Sequence, residues 1–203
     1  MKALVIKDFI VLKKASKMFP VMIMIFAASN CSEYGIVWLF AASAYASSTM
    51  AYDEEYGWNN YAFMLPYSKF ELVVSKYILN YILILIVAGI AQLLGVTFNL
   101  LSQQEVITYI GFDKFILEVS VVLIATSISI WAQFKYGCQK GKLIEILFIG
   151  ISICFSSIFD REPIIQYMQY LGGGYSLLAI IVFVLAIICN LISIKCSIGI
   201  EKE

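Results

Sequence analysis

The densest group of side chains that could do chemistry in this sequence is a run of three carboxylates, Asp53, Glu54 and Glu55. Adjacent negative charges repel one another, so the run stays solvated unless a basic partner meets it. Aromatic and apolar residues follow in a segment too polar to cross a membrane, and Pro66 closes it, because the residue before a proline is pushed out of the helical region. We expect a short aromatic helix here. A solvated acid run beside an interfacial aromatic belt is the alternative.

The helix that follows this segment has a recognisable start. Ser68 precedes Lys69, and Glu71 stands three residues after the serine. This is the spacing of a capping box, in which the serine and glutamate side chains accept hydrogen bonds from each other's backbone N–H groups. The aromatic segment is therefore expected to be joined rigidly to the next long helix.

The residues that most enzymes use are missing or far apart. The sequence has no histidine, which excludes a Ser-His-Asp set, and its five cysteines show no CxxC spacing. The run at 137–142 lacks the spacing of a nucleotide-binding P-loop. Glu118 and Glu145 are expected near opposite faces of the membrane, too far apart to act as a pair. We therefore expect no enzyme activity, and no metal or cofactor bound by this chain.

The composition indicates the environment in which the elements that position these residues fold. Of the 203 residues, 62% are hydrophobic and 14% are charged, and the mean hydropathy is +0.89. Soluble domains carry about 25% charged residues, so the solvent of this protein is a membrane. The net charge of zero gives no indication of nucleic-acid binding. The chain has room for one membrane domain, residues 1–203.

Uncharged stretches predict an all-α membrane protein with six transmembrane helices. Their approximate limits are residues 18–32, 34–52, 70–104, 115–134, 143–159 and 175–194. The first is short for a crossing, and the second is rich in small residues over 41–51, which predicts burial in a bundle or at a subunit interface. The apolar stretch 164–171, followed by three glycines, is too short to cross and is expected to form a short re-entrant or interfacial outer segment before the sixth span.

The middles of these spans carry no ionisable side chain. Carriers driven by ions or protons usually place such groups there, so any transport would take its energy from elsewhere. Gln92, Asn99 and Gln133 are polar residues that need partners inside the bundle, and they are the candidates for lining a pathway.

Basic residues give the orientation of the chain. Twelve of the fourteen lie on the termini and on alternate loops, and the exceptions are Lys114 and Arg161. Basic residues near the ends of spans stay on the cytoplasmic side. Both termini, and the loop that carries the acid run, are therefore expected in the cytoplasm.

The first residues, about 3–15, predict a helix that lies in the membrane interface. Apolar residues occupy one half of its helical wheel, interrupted by Asp8: Leu4, Val5, Phe9, Val11 and Leu12. Basic residues occupy the other half and are expected to face anionic lipid: Lys2, Lys7, Lys13, Lys14 and Lys17. An ordinary basic flank of the first span is the alternative. We expect at least one acid of the run 53–55 to meet a basic group, on this helix through Lys13, Lys14 or Lys17 or on a partner protein.

The loop between the second and third spans resembles a known family. Its pattern is Asp53-Glu54-x-x-Gly57-Trp58-x-x-Tyr61-x-x-x-Leu65-Pro66-x-Ser68-Lys69-x-x-x-Val73-x-Ser75-Lys76-Tyr77. This pattern is similar to that of the small ABC-2 type permeases of bacterial ABC exporters, in which arginine often stands at the place of Lys69. The opening residues Lys2 to Phe9 and the ending with Ser193, Ser197 and Glu201 also look like this family.

The resemblance implies a permease subunit in the bacterial cytoplasmic membrane that binds a separate ATPase dimer, which holds ATP and Mg²⁺. It also implies pairing with a second copy or a paralogous permease in the lipid, and a gate formed by the outer re-entrant segment. The loop would carry a coupling helix, with these residues at the ATPase contact: Asp53, Glu54, Glu55, Gly57, Trp58, Tyr61, Leu65, Pro66 and Lys69. Relatives of this kind export peptides, such as toxins and bacteriocins, or drugs.

Two other classes of protein stay open. A non-transporting immunity or scaffold protein that binds a peptide in the membrane would work without any ATPase. An intramembrane enzyme would need a catalytic pair at a shared depth, which the sequence does not show.

The predicted topology has a direct test in cysteine labelling. In a background without native cysteines, single cysteines at positions 103 and 165 should react with an impermeant reagent from outside, and those at positions 60 and 140 only from inside, because of the distribution of basic residues. External labelling at position 60 would contradict the topology.

Overall fold

The structure is a computed structural model that describes residues 1–15, 35–62, 64–102, 112–159 and 174–200. In this part of the chain all regular secondary structure is helical, with six long helices and one short one, which confirms the all-α class. They are α1 (Lys2–Ala15), α2 (Gly35–Glu55), α3 (Trp58–Ala62), α4 (Lys69–Ser102), α5 (Phe112–Tyr136), α6 (Cys138–Phe159) and α7 (Gly174–Ile200). The predicted first span, Lys17 and the predicted re-entrant segment lie outside the described residues.

Three helices contain stretches long and apolar enough to cross a membrane. They are Lys69–Ile90 in α4, Phe115–Tyr136 in α5 and Ala179–Ile200 in α7, and they fall within or across the predicted third, fourth and sixth spans. The helices α2 and α6 overlap the predicted second and fifth spans. The total of six crossings stays a prediction, since the described residues supply three such stretches.

The helix α5 lies at the centre of the described bundle. It packs along α7 and α6 and also touches α2 and α4, while α1 lies against α2 and α4. The main apolar core joins α2, α4 and α5 through the buried side chains of Phe40, Ile84 and Val122. A second core is built around Met50 and Tyr77, further along the same helices.

The helix α2 is buried within the bundle, as its small residues predicted. Ala42, Ser43, Ala46 and Ser47 are all buried, and α2 has α4, α5 and α6 as neighbours. Small side chains let helices approach closely in lipid, where close packing replaces the hydrophobic effect. The predicted burial therefore arises from contacts inside this chain.

The helices α5 and α6 approach so closely that Gly141 has no room for a side chain. A Cβ atom there would clash with Gln133 Cγ and would lie 2.8 Å from the Gln133 backbone. Gln133 is thus buried in a contact between two helices, where its Nε2 donates to Ser129 Oγ at 3.2 Å. The other candidates for lining a pathway, Gln92 and Asn99, belong to α4, and their side chains fall outside the described part of the structure.

Fixed turns join α3 to its neighbours. Gly57, between α2 and α3, has a φ of 63°, a left-handed conformation that strains residues with a Cβ atom. The predicted capping box at the start of α4 is present: Glu71 N–H donates to Ser68 Oγ at 3.2 Å, and Ser68 N–H donates to Glu71 Oε2 at 3.1 Å. Ser68 and Glu71 therefore fix the start of α4 locally.

Side-chain hydrogen bonds hold α7 to α4 and α5. The hydroxyl groups of Tyr77 and Ser193 lie 2.7 Å apart. Tyr81 donates to Asn190 Oδ1 at 2.6 Å, and Asn190 Nδ2 donates to the Leu123 carbonyl at 3.2 Å. Bonds of this kind help select the partner of a helix inside a membrane, since lipid and leucine are equally apolar.

Asn80 of α4 differs from Asn190 in its hydrogen bonding. Its side chain is 2% exposed, and neither amide atom has a hydrogen-bond partner among the described residues. Asn80 follows Lys76 by one helical turn, so the two side chains share a face of α4. A buried amide without partners is destabilising, because it has lost its water without replacement.

These two asparagines give a matched pair of substitutions. Asn190→Leu should lower the melting temperature of the purified full chain, because it leaves the Tyr81 hydroxyl without its acceptor and removes the bond to the Leu123 carbonyl, at a cost of about 1–3 kcal/mol. Asn80→Leu should leave it unchanged or raise it. A loss at Asn80 as large as that at Asn190 would contradict the difference between them.

Candidate functional site

Four elements meet at one end of the described bundle: α1, the last turn of α2, α3 and the first turns of α4. The helix α1 presents a narrow buried stripe to the others, formed by Leu4, Asp8 and Leu12, which are spaced one turn apart. Its opposite face is exposed and includes Ile6 and Ile10. The side of α1 that packs on the protein is therefore the one that Asp8 interrupts.

Two lysines and two aspartates form the centre of the site, and we call them the charge cluster: Lys7, Asp8, Asp53 and Lys76. Lys76 Nζ lies 2.9 Å from each carboxylate oxygen of Asp8 and also contacts Asp53 Oδ2. Lys7 Nζ lies 2.7 Å from Asp53 Oδ1 and 3.0 Å from Asp8 Oδ1. Each lysine thus bridges an aspartate of α1 and an aspartate of α2.

The two aspartates of the charge cluster are buried and its two lysines are partly buried, and the four charges sum to zero. The side chain of Asp8 is 1% exposed and that of Lys76 is 13% exposed. An unpaired charge at such a site is strongly unfavourable, and removing one partner of a buried pair costs about 3–5 kcal/mol. Because the two positive and two negative charges compensate only together, the charge cluster fixes α1, α2 and α4 to one another.

The indole ring of Trp58 adds α3 to this assembly. Lys7 Nζ lies 4.2 Å from the centre of the ring, within the range of a cation–π contact, which is worth about 0.5–2 kcal/mol. Trp58 is half-buried. Part of the surface of this side chain is therefore turned toward α1 and not toward a partner protein.

Glu54 is directed away from the charge cluster, toward the turn between α5 and α6. Its Oε2 accepts a hydrogen bond from the Cys138 backbone N–H at 3.0 Å. The Cys138 thiol and this N–H hold the pKa of Glu54 below its ordinary value, and burial, helped by the carboxylate, raises the pKa of the Cys138 thiol to about 12. Gly137 has a φ of 88°, and a Cβ atom on it would lie 3.6 Å from Glu54 Oε1. The backbone of this turn thus binds the Glu54 carboxylate.

The remaining part of the predicted site faces solvent. Glu55, Pro66 and Lys69 are exposed. Large apolar side chains between positions 56 and 70 are exposed as well, and we call them the exposed patch: Tyr56, Tyr61, Met64, Leu65 and Phe70. Apolar side chains grouped in this way often mark a surface that binds another protein.

The structure brings part of the predicted site together. Asp53 does pair with the N-terminal helix, as expected for at least one of the three acids, but through Lys7. Lys13 and Lys14, which we had expected to supply the partner, are exposed. The reason is geometric: Lys13 projects from the side of α1 opposite the buried stripe, and Lys14, although on the same side as Lys7, lies two turns further along the helix.

Asp8 and Lys76 are site residues that the sequence reasoning missed. The signal for Asp8 was its position in the apolar half of the α1 wheel, since a charge on a buried face needs an opposite charge. Lys76 offered a similar signal within the apolar sequence of α4. Among the described residues no three histidine, cysteine, aspartate or glutamate side chains are grouped to hold a metal ion.

The fold and the site together define an all-helical membrane protein with an ion-paired junction at one end. The chain matches the model of the ABC-2 family transporter proteins over residues 3–201, and it belongs to this family. It is therefore a membrane subunit of an ABC transporter and not the nucleotide-binding ATPase, which is a partner subunit. No curated protein and no solved structure matches the sequence.

The two lysines of the charge cluster should differ in importance. Lys76→Met leaves the most buried carboxylate, Asp8, with only the more exposed Lys7, so it should lower the melting temperature strongly, by the equivalent of about 3 kcal/mol or more. Lys7→Met should have a smaller effect, because Lys76 still pairs with both aspartates.

Lys13→Met is the matched control, since Lys13 is exposed on the same helix as Lys7. It should leave the melting temperature nearly unchanged. Equal losses from Lys76→Met and Lys13→Met would show that the charge cluster does not stabilise the fold.

Proposed function

We propose that this chain is the permease of an ATP-driven exporter and that the separate ATPase presses on residues 53–69. The observation that carries the proposal is the position of the exposed patch directly beside the charge cluster. The same short stretch of chain offers a surface to a partner and is fixed to α1, α2 and α4. Membership of the ABC-2 family supplies the kind of partner, an ABC ATPase.

The exposed patch has the chemistry of a docking surface. Leu65 is 42% exposed and Tyr61 and Met64 are more so, and burying a large apolar side chain fully is worth roughly 1.5–3 kcal/mol. Since α3 has only five residues, the helix and the turn at Pro66 would enter a groove on the ATPase together. Glu55 lies beside them and can meet a basic group, a surface pair worth at most about 1 kcal/mol and weakened by salt.

A movement of the ATPase against this surface can be transmitted to the long helices in two ways. The first runs through the capping box into α4, whose 34 residues span about 50 Å at 1.5 Å per residue. The second runs through the charge cluster, which makes α1 and α2 follow α4. A rigid junction is useful here, because a loose one would absorb the movement of the ATPase without passing it on.

We infer an amphipathic or apolar cargo, such as an antimicrobial or toxin peptide or a drug, moved outward across the bacterial cytoplasmic membrane. The absence of charged residues from the middles of the predicted spans suits such a cargo. The pathway would lie between two permease copies, or between this chain and a paralogous permease. Gln92 and Asn99 are the preferred polar residues along it, because Gln133 is enclosed between α5 and α6.

The docking surface can be tested with two matched leucines. Leu65 is 42% exposed in the exposed patch, and Leu185 is 50% exposed on α7. Leu65→Ala should weaken co-purification of the ATPase by about tenfold, the factor that corresponds to 1.4 kcal/mol, and lower transport in proportion. Leu185→Ala should leave both unchanged, and neither should alter the melting temperature.

Trp58→Ala makes a useful companion, because Trp58 contacts Lys7 and is only half-exposed. It should lower the melting temperature as well as the association with the ATPase. If Leu65→Ala and Trp58→Ala both leave complex formation and transport intact, the segment 53–69 is an interfacial belt. If no ATPase co-purifies with the unaltered chain at all, the immunity or scaffold role replaces the exporter.

A further inference from the structure

Glu145 is a buried carboxyl group that the transport proposal does not use. It lies in the second turn of α6 and is 3% exposed. Two serines of α2, one turn apart, reach its two oxygens: Ser43 Oγ is 2.7 Å from Oε1, and Ser47 Oγ is 3.0 Å from Oε2. Ser129 of α5 lies close by, and its hydroxyl donates to the Gly141 carbonyl at 3.4 Å. The carboxyl group thus joins α6 to α2 where these helices meet α5.

Counting hydrogen atoms shows what this contact requires. A serine hydroxyl carries one hydrogen, but Ser47 Oγ has two acceptors beside it, the Ala44 carbonyl at 2.9 Å and Glu145 Oε2 at 3.0 Å. With an ionised Glu145, one of these close pairs is left without a hydrogen. With a proton on Oε2, Glu145 donates to Ser47, Ser47 donates to the Ala44 carbonyl, and Ser43 donates to Oε1. The protonated form satisfies every contact.

The charges around Glu145 agree with this count. The charged group that acts on it is Lys142, one turn earlier on α6, while α2 presents Ser43 and Ser47 and α5 presents Ser129. Glu145 forms no ion pair within the described residues. Asp8 is just as buried but has Lys76 at 2.9 Å, and an ionised carboxylate without such a partner is costly to bury.

We propose that Glu145 is a proton-binding site. It holds a proton in the folded protein, and the neutral carboxyl group connects α6 to α2 through hydrogen bonds. Release of the proton leaves Ser47 between two acceptors and weakens the contact. The site lies in the predicted fifth span, so it is a place within the bundle where the protein takes up or gives off a proton. This proposal does not depend on the cargo or on the ATPase.

Infrared spectroscopy on the full chain in lipid nanodiscs tests the proposal directly. At neutral pH the wild-type spectrum should contain a C=O stretching band of a protonated, buried carboxylic acid that disappears in Glu145→Gln. Ser47→Ala keeps the carboxyl group but removes its acceptor, so it should shift the same band. Glu118→Gln, which removes another buried glutamate, is the control and should leave that band in place. A band that none of these variants changes, or no such band, would overturn the proposal.

The pH dependence of stability is an independent measurement. Above about pH 4.3 the unfolded chain gives up this proton, while the folded protein keeps it, so stability from Glu145 is greatest at low pH and falls as the pH rises. The melting temperature of the wild type minus that of Glu145→Gln should therefore decrease between about pH 5 and pH 8, with the ratio of unfolding constants changing by up to about tenfold per pH unit. A difference that is constant or increases over this range means an ionised carboxylate and would refute the proposal.

Discussion

The requirement that buried charges be balanced determines how α1, α2 and α4 are put together. Asp8 belongs to the side of α1 that packs on the other helices. This side can therefore be buried only where another helix supplies a cation that pairs with Asp8. Lys76 supplies this cation from α4, and Asp53 supplies the second negative charge from α2. Apolar packing alone would leave α1 free to slide or rotate, because one leucine contact resembles another, whereas the charges match in one arrangement.

The three consecutive acids show how one short sequence can serve three purposes. Successive residues of a helix project about 100° apart, so Asp53, Glu54 and Glu55 cannot share a partner. Asp53 points toward the charge cluster, Glu54 accepts a hydrogen bond from the Cys138 backbone N–H, and Glu55 remains in solvent. The end of α2 is thereby attached to α1, to α4 and to the turn between α5 and α6, and one charge is left over for a partner. The acidic run therefore holds two carboxylates attached within the chain, of which Glu54 is still exposed, and Glu55, which remains in solvent.

Local patterns were enough to predict the helices, and they were not enough to predict which side chains meet. The apolar lengths of α4, α5 and α7, the capping box at Ser68 and the burial of α2 all follow from neighbouring residues. The contact between Asp8 and Lys76 spans 68 positions, and that between Ser43 and Glu145 spans 102. No local spacing encodes such pairs. The serines of α2 predicted a close contact between helices, but they did not predict which carboxyl group they bind.

The distance along the chain between Asp8 and Lys76 also has a consequence for the order of assembly during synthesis. Domains and their parts fold as the chain emerges from the N-terminus. The helix α1 is made before α2 and α4, so its inward carboxylate can pair with the neighbouring Lys7 but not with Lys76 until residue 76 has been added. Until then α1 must wait in the polar head-group layer or in water. The helix α1 is thus made before α2 and α4 but docks only after both have been added, at the end of the bundle that holds the charge cluster.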